Sequence, residues 1–167
     1  MPMALSDPRL KAVGIAGAVF ALDRFTKWII ESRVSVLDTL HVVPGFFDII
    51  HSSNRGVAFS LFHDSTSPWR TTLLIVAALA ALAIVGWMIG RSTGADRLTL
   101  YGLALIFGGA LGNLFDRVVW GAVTDFLDFY LGNLHWPAFN VADSAVVVGS
   151  GLLLLDLLKP KREAART

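Results

Sequence analysis

Four stretches of apolar residues, separated by polar segments, dominate the pattern along this chain. Residues 71–90 carry no charge and are as long as a helix must be to cross a bilayer core of roughly 30 Å. Residues 98–115 form a second uncharged stretch, and residues 136–155 form a third that is interrupted by Asn140 and Asp143. We therefore predict that these three stretches are transmembrane helices.

The first apolar stretch, residues 12–30, is less uniform because Asp23, Arg24 and Lys27 lie within it. By itself it would also fit a signal peptide, but no small-x-small cleavage site follows and residues 28–30 continue the apolar pattern. We interpret it as a fourth spanning helix. The predicted fold is an all-α membrane protein with one domain, residues 1–167, and four transmembrane helices at about residues 12–30, 71–90, 98–116 and 137–157.

Basic residues are distributed unequally between the two sides of these helices. Only four arginines lie in the two longer connections, residues 31–70 and 117–136. Because Lys and Arg collect on the cytoplasmic side, both termini are predicted to be cytoplasmic and the two longer connections to be outer loops. The cytoplasmic set has eight members: Arg9, Lys11, Arg91, Arg97, Lys159, Lys161, Arg162 and Arg166.

The outer loops carry their own pattern. Residues 36–62 combine β-branched and aromatic residues with turn-forming residues, which predicts a small β element on the outer membrane surface. Thr66 or Ser67 is a candidate cap for the second helix. In the second loop, residues 123–130 form an amphipathic segment whose aromatic residues suit the membrane interface.

Composition excludes several kinds of site. The chain has no cysteine, and the spacing of its four histidines matches no metal-binding motif, so we predict neither a metal nor a cofactor. A net charge of +1 argues against a nucleic-acid partner.

Three aspartates are predicted to meet near the outer membrane boundary: Asp116, Asp125 and Asp143. Charged groups in a membrane segment are costly, so each needs a structural or chemical reason. Asn113 precedes Asp116 by three positions, and Asn140 precedes Asp143 by three, so each amide shares a helix face with a carboxylate. Two carboxylates in one poorly solvated pocket share a proton, which is the chemistry of aspartic proteases.

Structural roles explain the same residues. Asp116 would pair with Arg117 or Arg24, Asp143 would help to cap helix four, and Asp125 would be solvated; spacing alone does not decide between these roles and catalysis. We expect an ion pair between Asp23 and Lys27, a surface position for Asp128, and contact with water for Asp156 near the cytoplasmic end.

Two other function classes fit a small helical membrane protein. A proton-coupled transporter would use Asp23, Asp116 and Asp143 as relay sites, but it predicts carboxylates spread through the membrane depth. A structural adaptor leaves Asn140 and Asp143 unexplained in an apolar helix. The glycine pairs Gly108/Gly112 and Gly149/Gly151 are interpreted as helix-packing positions.

Five sequence blocks together resemble the bacterial lipoprotein signal peptidase family, also called signal peptidase II. The resemblance covers about residues 10–158 and departs at Arg24, where the family usually has glutamine. The blocks are LDRFTK at 22–27, NRGVAFS at 54–60, GGALGNLFDR at 108–117, VTDF at 123–126 and PAFNVADS at 137–144.

The resemblance implies an intramembrane aspartic endopeptidase with Asp125 and Asp143 as its catalytic dyad. It would remove signal peptides from diacylglyceryl-modified prolipoproteins, cutting before the lipidated cysteine. The residues that it implies for substrate binding or support are Asn54, Gly56, Asn113, Asp116, Arg117, Asn140, Ala142, Asp23 and Lys27.

The resemblance also implies the setting of the enzyme. It predicts a monomer in the bacterial cytoplasmic (inner) membrane, with the active site near the extracytoplasmic face and a β-cradle and short helix on the outer surface. Its partners would be prolipoproteins, membrane lipids and globomycin-type inhibitors.

Overall fold

The computed structural model describes residues 7–56, 68–92 and 96–159 as four long helices and a small sheet. The candidate caps Thr66 and Ser67 and the charged residues 160–167 lie outside the described residues. The helices are α1 (Pro8–Arg33), α2 (Pro68–Arg91), α3 (Arg97–Trp120) and α4 (Val141–Leu158), and the strands are β1 (Thr39–Val43), β2 (Phe47–Asn54), β3 (Val123–Leu131) and β4 (Leu134–His135).

Three of the helices in the described part of the chain are long and apolar enough to cross a membrane: α2, α3 and α4. Helix α1 has 26 residues and spans about 39 Å at 1.5 Å per residue, so its length suffices. It is not among the three because Asp23, Arg24 and Lys27 interrupt its apolar stretch. The predicted start of α4 at residue 137 is wrong, because Phe139 is held in an extended conformation by backbone hydrogen bonds to Leu127 of β3 (2.8 and 3.1 Å).

Helix α3 lies against the other three helices and forms the centre of the bundle. Its glycines allow this close approach. A Cβ at Gly108 would lie 2.6 Å from the backbone oxygen of Ala16 in α1, and one at Gly149 in α4 would lie 2.6 Å from the oxygen of Gly102. Both distances are too short for a side chain, so the packing interpretation is confirmed for Gly108 and Gly149. Gly151 has open space around its Cβ position instead.

The four strands form one antiparallel sheet in the order β1-β2-β3-β4. Strands β1 and β2 come from the first long connection, as predicted, whereas β3 and β4 come from the second. The amphipathic segment 123–130 is therefore a β-strand, and the all-α description omitted half of this sheet. The reason is that β3 pairs with β2, which is distant in sequence, with Phe47 opposite Phe129 and Asp48 opposite Asp128.

The sheet is anchored to the end of the helix bundle at which α1 ends and α4 begins. Phe126 of β3 is buried against Ile30 and Val34 at the end of α1, and Val141 at the start of α4 packs against the same cluster. This contact fixes the end of β3 that carries Asp125 directly beside the first turn of α4. In the described residues, all helical segments belong to α1–α4, so the short surface helix is not found there.

Candidate active site

Asp125 lies near the start of β3 and is almost completely buried, at 3% exposure. One carboxylate oxygen accepts a hydrogen bond from Asn54 Nδ2 (2.9 Å), and the other accepts one from Asn140 Nδ2 (2.8 Å). The pKa of Asp125 is raised to about 6: burial is the largest cause and the nearby charge of Asp143 acts in the same direction, while the two amide hydrogen bonds and the charge of Lys27 act in the opposite direction. The carboxyl group therefore exchanges its proton close to neutral pH.

Because α4 begins at Val141 and not at about residue 137, Asp143 occupies the third position of the helix, in its first turn. Asn140 caps this helix: its Oδ1 accepts from the Asp143 backbone N–H (3.0 Å), and Asp143 Oδ2 accepts from the Asn140 backbone N–H (3.3 Å). The expected capping role of Asp143 is thus confirmed. Its second oxygen, Oδ1, accepts a hydrogen bond from Asn113 Nδ2 of α3 (2.7 Å).

The side chains of Asn140 and Asn113 together connect the two carboxylates, and Asn54 contacts Asp125 alone. Asn140 contacts both Asp125 and Asp143, and its Nδ2 also approaches Asn113 Oδ1 at 3.2 Å. We call Asp125, Asp143, Asn54, Asn113 and Asn140 the amide cluster. Its carboxylates are held by neutral amide groups, which orient the oxygens without fixing a charge.

Asp116 belongs to a different cluster. It is buried, and it forms ion pairs with Arg24 and with Lys27, whose Nζ lies 2.6 Å from Asp116 Oδ2. Helix α3 continues to Trp120, so the prediction that it ends at about Asp116 is wrong. The structural alternative for Asp116 is confirmed with Arg24, and this pairing separates Asp116 from the two aspartates of the amide cluster.

Asp23 and Lys27 complete this second group. They form the predicted ion pair, with Lys27 Nζ 2.8 Å from Asp23 Oδ2, and neither side chain is exposed. Asp23 Oδ1 accepts from the backbone N–H of Ala142 (2.9 Å), which ties α1 to the first turn of α4. We call Asp23, Arg24, Lys27 and Asp116 the ion-pair cluster.

Lys27 also connects the two clusters, because its ammonium donates to Asn113 Oδ1 at 3.1 Å. The Asn113 amide therefore has its oxygen fixed by Lys27 and its nitrogen directed at Asp143. Gly56 orients Asn54 in the same manner: its backbone N–H donates to Asn54 Oδ1 at 2.8 Å. Gly56 has a φ of +91°, a conformation that favours glycine.

Arg117 lies next to Asp116 on α3 but is not its ion-pair partner. Its Nη1 donates to the backbone oxygen of Asn113 (3.3 Å), and its Nε is buried with no hydrogen-bond partner within the described part of the chain. The guanidinium group thus keeps unused hydrogen-bond donors beside the amide cluster.

Two cavities contain residues of the amide cluster. A cavity of about 580 Å³ is lined by both polar and apolar groups, including Asn54, Asp125 and His135. A second cavity of about 390 Å³ is mainly apolar and includes Asp143 and Val147. Trp136 lines both cavities. A bound chain that crosses between them would pass both aspartates.

The prediction that Asp128 is a surface charge is wrong. The residue is only 8% exposed because β3 places it opposite Asp48 of β2, inside the sheet. His135 Nδ1 lies 2.9 Å from its carboxylate. Sequence reasoning missed Asp48, His41 and His135 altogether; the only signal was that each histidine is seven positions from an aspartate, which is not specific.

No group of three or more metal-ligating side chains is arranged around a possible ion position in the residues that the structure covers. The amide cluster itself consists of carboxyl and amide groups, with the guanidinium of Arg117 nearby.

Comparison with known proteins identifies close relatives along almost the whole chain. A family model described as signal peptidase (SPase) II matches residues 15–159. A lipoprotein signal peptidase from Solibacter usitatus is 60% identical over 161 residues, which cover 96% of this chain and 98% of the relative. A lipoprotein signal peptidase from Alteromonas mediterranea is 37% identical over 150 residues, covering 90% of this chain and 81% of the relative.

Solved structures show the same architecture. A bacterial membrane enzyme determined by the in meso method at 2.3 Å resolution superposes with a TM-score of 0.80 at 29% identity, covering 94% of this chain and 93% of the other. A second such enzyme, at 1.9 Å resolution, gives a TM-score of 0.78 at 28% identity, with coverage of 90% and 94%.

Proposed function

This chain belongs to the signal peptidase II family of membrane proteases, and we propose that Asp125 and Asp143 are the catalytic dyad with which it cleaves lipoprotein signal peptides. The proposed substrate is a diacylglyceryl-modified prolipoprotein, cut just before the lipidated cysteine. The observation that carries this proposal is that Asn140 binds both carboxylates, which lie 18 positions apart in the sequence: its side-chain Nδ2 donates to Asp125 Oδ1 (2.8 Å), and its backbone N–H donates to Asp143 Oδ2 (3.3 Å).

The dyad activates a water molecule. One ionised aspartate accepts a proton from water while the resulting hydroxide adds to the carbonyl carbon that precedes the cysteine. The protonated partner donates its proton to the departing nitrogen as the tetrahedral intermediate collapses, so that the carboxylic acid and the amine are the products. The raised pKa of Asp125, about 6, supports proton exchange at the pH of the outer membrane surface.

The surrounding side chains position the substrate and the dyad. Arg117 has free N–H donors beside the amide cluster, which suits it to bind a substrate carbonyl or the developing oxyanion. Asn54, Asn113 and Asn140 hold the carboxylate oxygens. Gly56 and Lys27 orient two of these amides, and Asp23, Ala142 and Asp116 fix the helices behind them.

We further propose that α1 is a fourth spanning helix in one membrane domain, residues 1–167. Its most deeply buried charges, Asp23 and Lys27, neutralise each other inside the bundle, so they do not face lipid. The distribution of basic residues supports cytoplasmic termini, which places the sheet and the amide cluster at the extracytoplasmic face of the inner membrane.

The proposed partners follow from this site. The enzyme acts as a monomer surrounded by lipid, binds prolipoproteins laterally through the bilayer, and is blocked by globomycin-type inhibitors that occupy the amide cluster. It needs no cofactor, because the proposed reaction uses only water and two carboxyl groups.

The purified protein in detergent or lipid should test this directly. We expect cleavage of a diacylglyceryl-modified prolipoprotein, not of its unmodified form, with a loss of roughly 10³-fold or more in both Asp125→Asn and Asp143→Asn. Asp48→Asn is the matched control, because Asp48 is also a buried aspartate of the sheet but lies outside the amide cluster. Near-normal cleavage by either dyad variant would refute the assignment. If the folded wild-type protein did not cleave the substrate, the proton-coupled transporter would be the alternative, and proton flux across liposomes would test it.

A further inference from the structure

A second pair of side chains faces the cavity that contains Asp125. His135 Nδ1 lies 2.9 and 3.1 Å from the two carboxylate oxygens of Asp128. Asp128 is buried in the sheet, whereas about half of the His135 side chain is exposed. Asp125, Asp128 and His135 all line the same cavity of about 580 Å³. The proposed dyad chemistry uses neither Asp128 nor His135.

Asp128 determines which nitrogen of His135 is available. The carboxylate accepts a hydrogen bond, so His135 Nδ1 carries a proton and Nε2 of the neutral ring is an acceptor. The ring also stacks on Tyr130, with ring centroids 4.9 Å apart and an angle of 13° between the planes. Hydrogen bond and stacking together hold the imidazole in one orientation.

The spacing between Asp125 and Asp128, the partner of His135, matches the length of a short extended peptide. Asp125 and Asp128 are three residues apart on β3, which is about 10 Å along a strand and matches about three residues of an extended chain. A peptide bond cut at Asp125 would therefore place a residue about three positions away beside His135.

The character of the two cavities decides which part of the substrate this is. The apolar cavity at Asp143 includes Val147 and Val148 of a lipid-exposed helix face and suits the apolar signal peptide. The cavity with Asp125, Asp128 and His135 has more polar lining. It suits the polypeptide after the cysteine, which continues into water.

We propose that His135, oriented by Asp128, is a specificity-determining residue that accepts a backbone N–H of the substrate about three residues after the lipidated cysteine. This inference rests on the proposed function, because it needs the scissile bond at Asp125. Through this hydrogen bond, the enzyme recognises the main chain of the mature part of the lipoprotein in extended conformation.

The test compares His135→Phe with His41→Phe. Phenylalanine keeps the stacking surface but removes both ring nitrogens. His41 is the matched control, because its Nδ1 lies 2.9 Å from buried Asp48 in the same way but the residue does not line the cavity. Two lipidated substrates are used, one ending at the cysteine as an amide and one continuing for several residues.

We expect His135→Phe to raise KM about fivefold for the long substrate, the effect of one lost hydrogen bond. Its KM for the short substrate and its kcat for both should match wild type. His41→Phe should match wild type with both substrates. Equal effects of His135→Phe on long and short substrates, or equal effects of the two variants, would overturn the inference.

A second measurement uses only the wild-type enzyme, so it does not depend on the folding of a variant. Long substrates with a single N-methylated residue at successive positions after the cysteine are cleaved by the wild-type enzyme. One methylation, about three residues after the cysteine, should raise KM about fivefold because it removes the N–H that His135 binds. A uniform response to methylation would overturn the inference while leaving the proposed function intact. No cleavage of any long or short substrate would refute the proposed function itself.

Discussion

The ion-pair cluster and the amide cluster are neighbours, and each contains two aspartates, but they hold them in opposite ways. In the ion-pair cluster, Asp23 and Asp116 each have a cationic partner within direct contact. In the amide cluster, the hydrogen-bond donors to Asp125 are neutral amides. A cation stabilises the charged form of a carboxylate, whereas burial without a cation favours the protonated form. The comparison shows how one bundle can contain carboxylates for structure and carboxylates suited to proton transfer.

Of the substitutions that test this comparison, Lys27→Met is expected to have the largest effect on stability. It removes the cation that contacts both Asp23 and Asp116, which leaves buried charge uncompensated and should lower the free energy of unfolding by about 3–5 kcal/mol. Thermal or denaturant unfolding in detergent would measure it.

Lys159→Met provides the control, since Lys159 is ion-paired with Asp96 and Asp156 at an exposed site. We expect little change there. If both lysine variants were equally stable, the ion-pair cluster would not have the structural role that its contacts indicate.

A smaller effect, with a defined pH dependence, is expected for Asp125→Asn. The pKa of Asp125 is raised from 3.8 to about 6 in the folded protein, so between these pH values the folded state binds more protons than the unfolded chain. The stability that Asp125 contributes to the wild-type protein is therefore fully present below pH 3.8 and is lost as the pH rises through about 6. Asparagine does not titrate, so the stability of the variant relative to wild type should increase by about 1–3 kcal/mol between those limits.

Unfolding curves at several pH values would check this difference. The difference in free energy of unfolding between Asp125→Asn and wild type should thus favour the variant more at neutral pH than at acidic pH. A stability difference that does not change with pH, or that changes with the opposite sign, would show that Asp125 is held in its charged form as the ion-pair cluster holds Asp116.

The smallest effect is expected for Arg24→Gln. Arg24 pairs with Asp116 and lies over Trp120, with the guanidinium carbon 4.5 Å from the ring centroid, but Asp116 keeps its contact with Lys27. The loss should be about 1 kcal/mol of stability, the scale of a cation–π contact, with kcat/KM within about twofold of wild type. Parallel unfolding and cleavage assays would measure both. A loss as large as that of Lys27→Met would mean that Arg24 stabilises the cluster as much as Lys27 does.

Local patterns in the sequence predicted the helices and some contacts within them. Uncharged stretches identified α2 and α3, and the four-residue spacing of Asp23 and Lys27 identified their ion pair. These features depend on residues that are close along the chain, which is where hydrophobic periodicity and helical spacing are informative. The catalytic assignment of Asp125 and Asp143 came from the family resemblance and stays a prediction.

The features that sequence reasoning missed depend on pairing between distant segments. Strand β3 was interpreted only as amphipathic, because its partner β2 lies across two long helices in the sequence. The start of α4 was predicted too early, since nothing local indicates that Phe139 bonds to Leu127. Asp128 was assigned to the surface because its burial opposite Asp48 appears only when the register of the sheet is known.

The sheet that joins the two long connections has a consequence for biosynthesis. Asn54 and its hydrogen-bond partner Asp125 are separated by 71 positions, with α2 and α3 between them. A ribosome-bound chain that has only produced β2 lacks the aspartate, and a chain that has only inserted two helices lacks the strand that bears it. With the proposed dyad, the site is complete only after β3 and the first turn of α4 have been synthesised, which makes it one of the last parts of the protein to form.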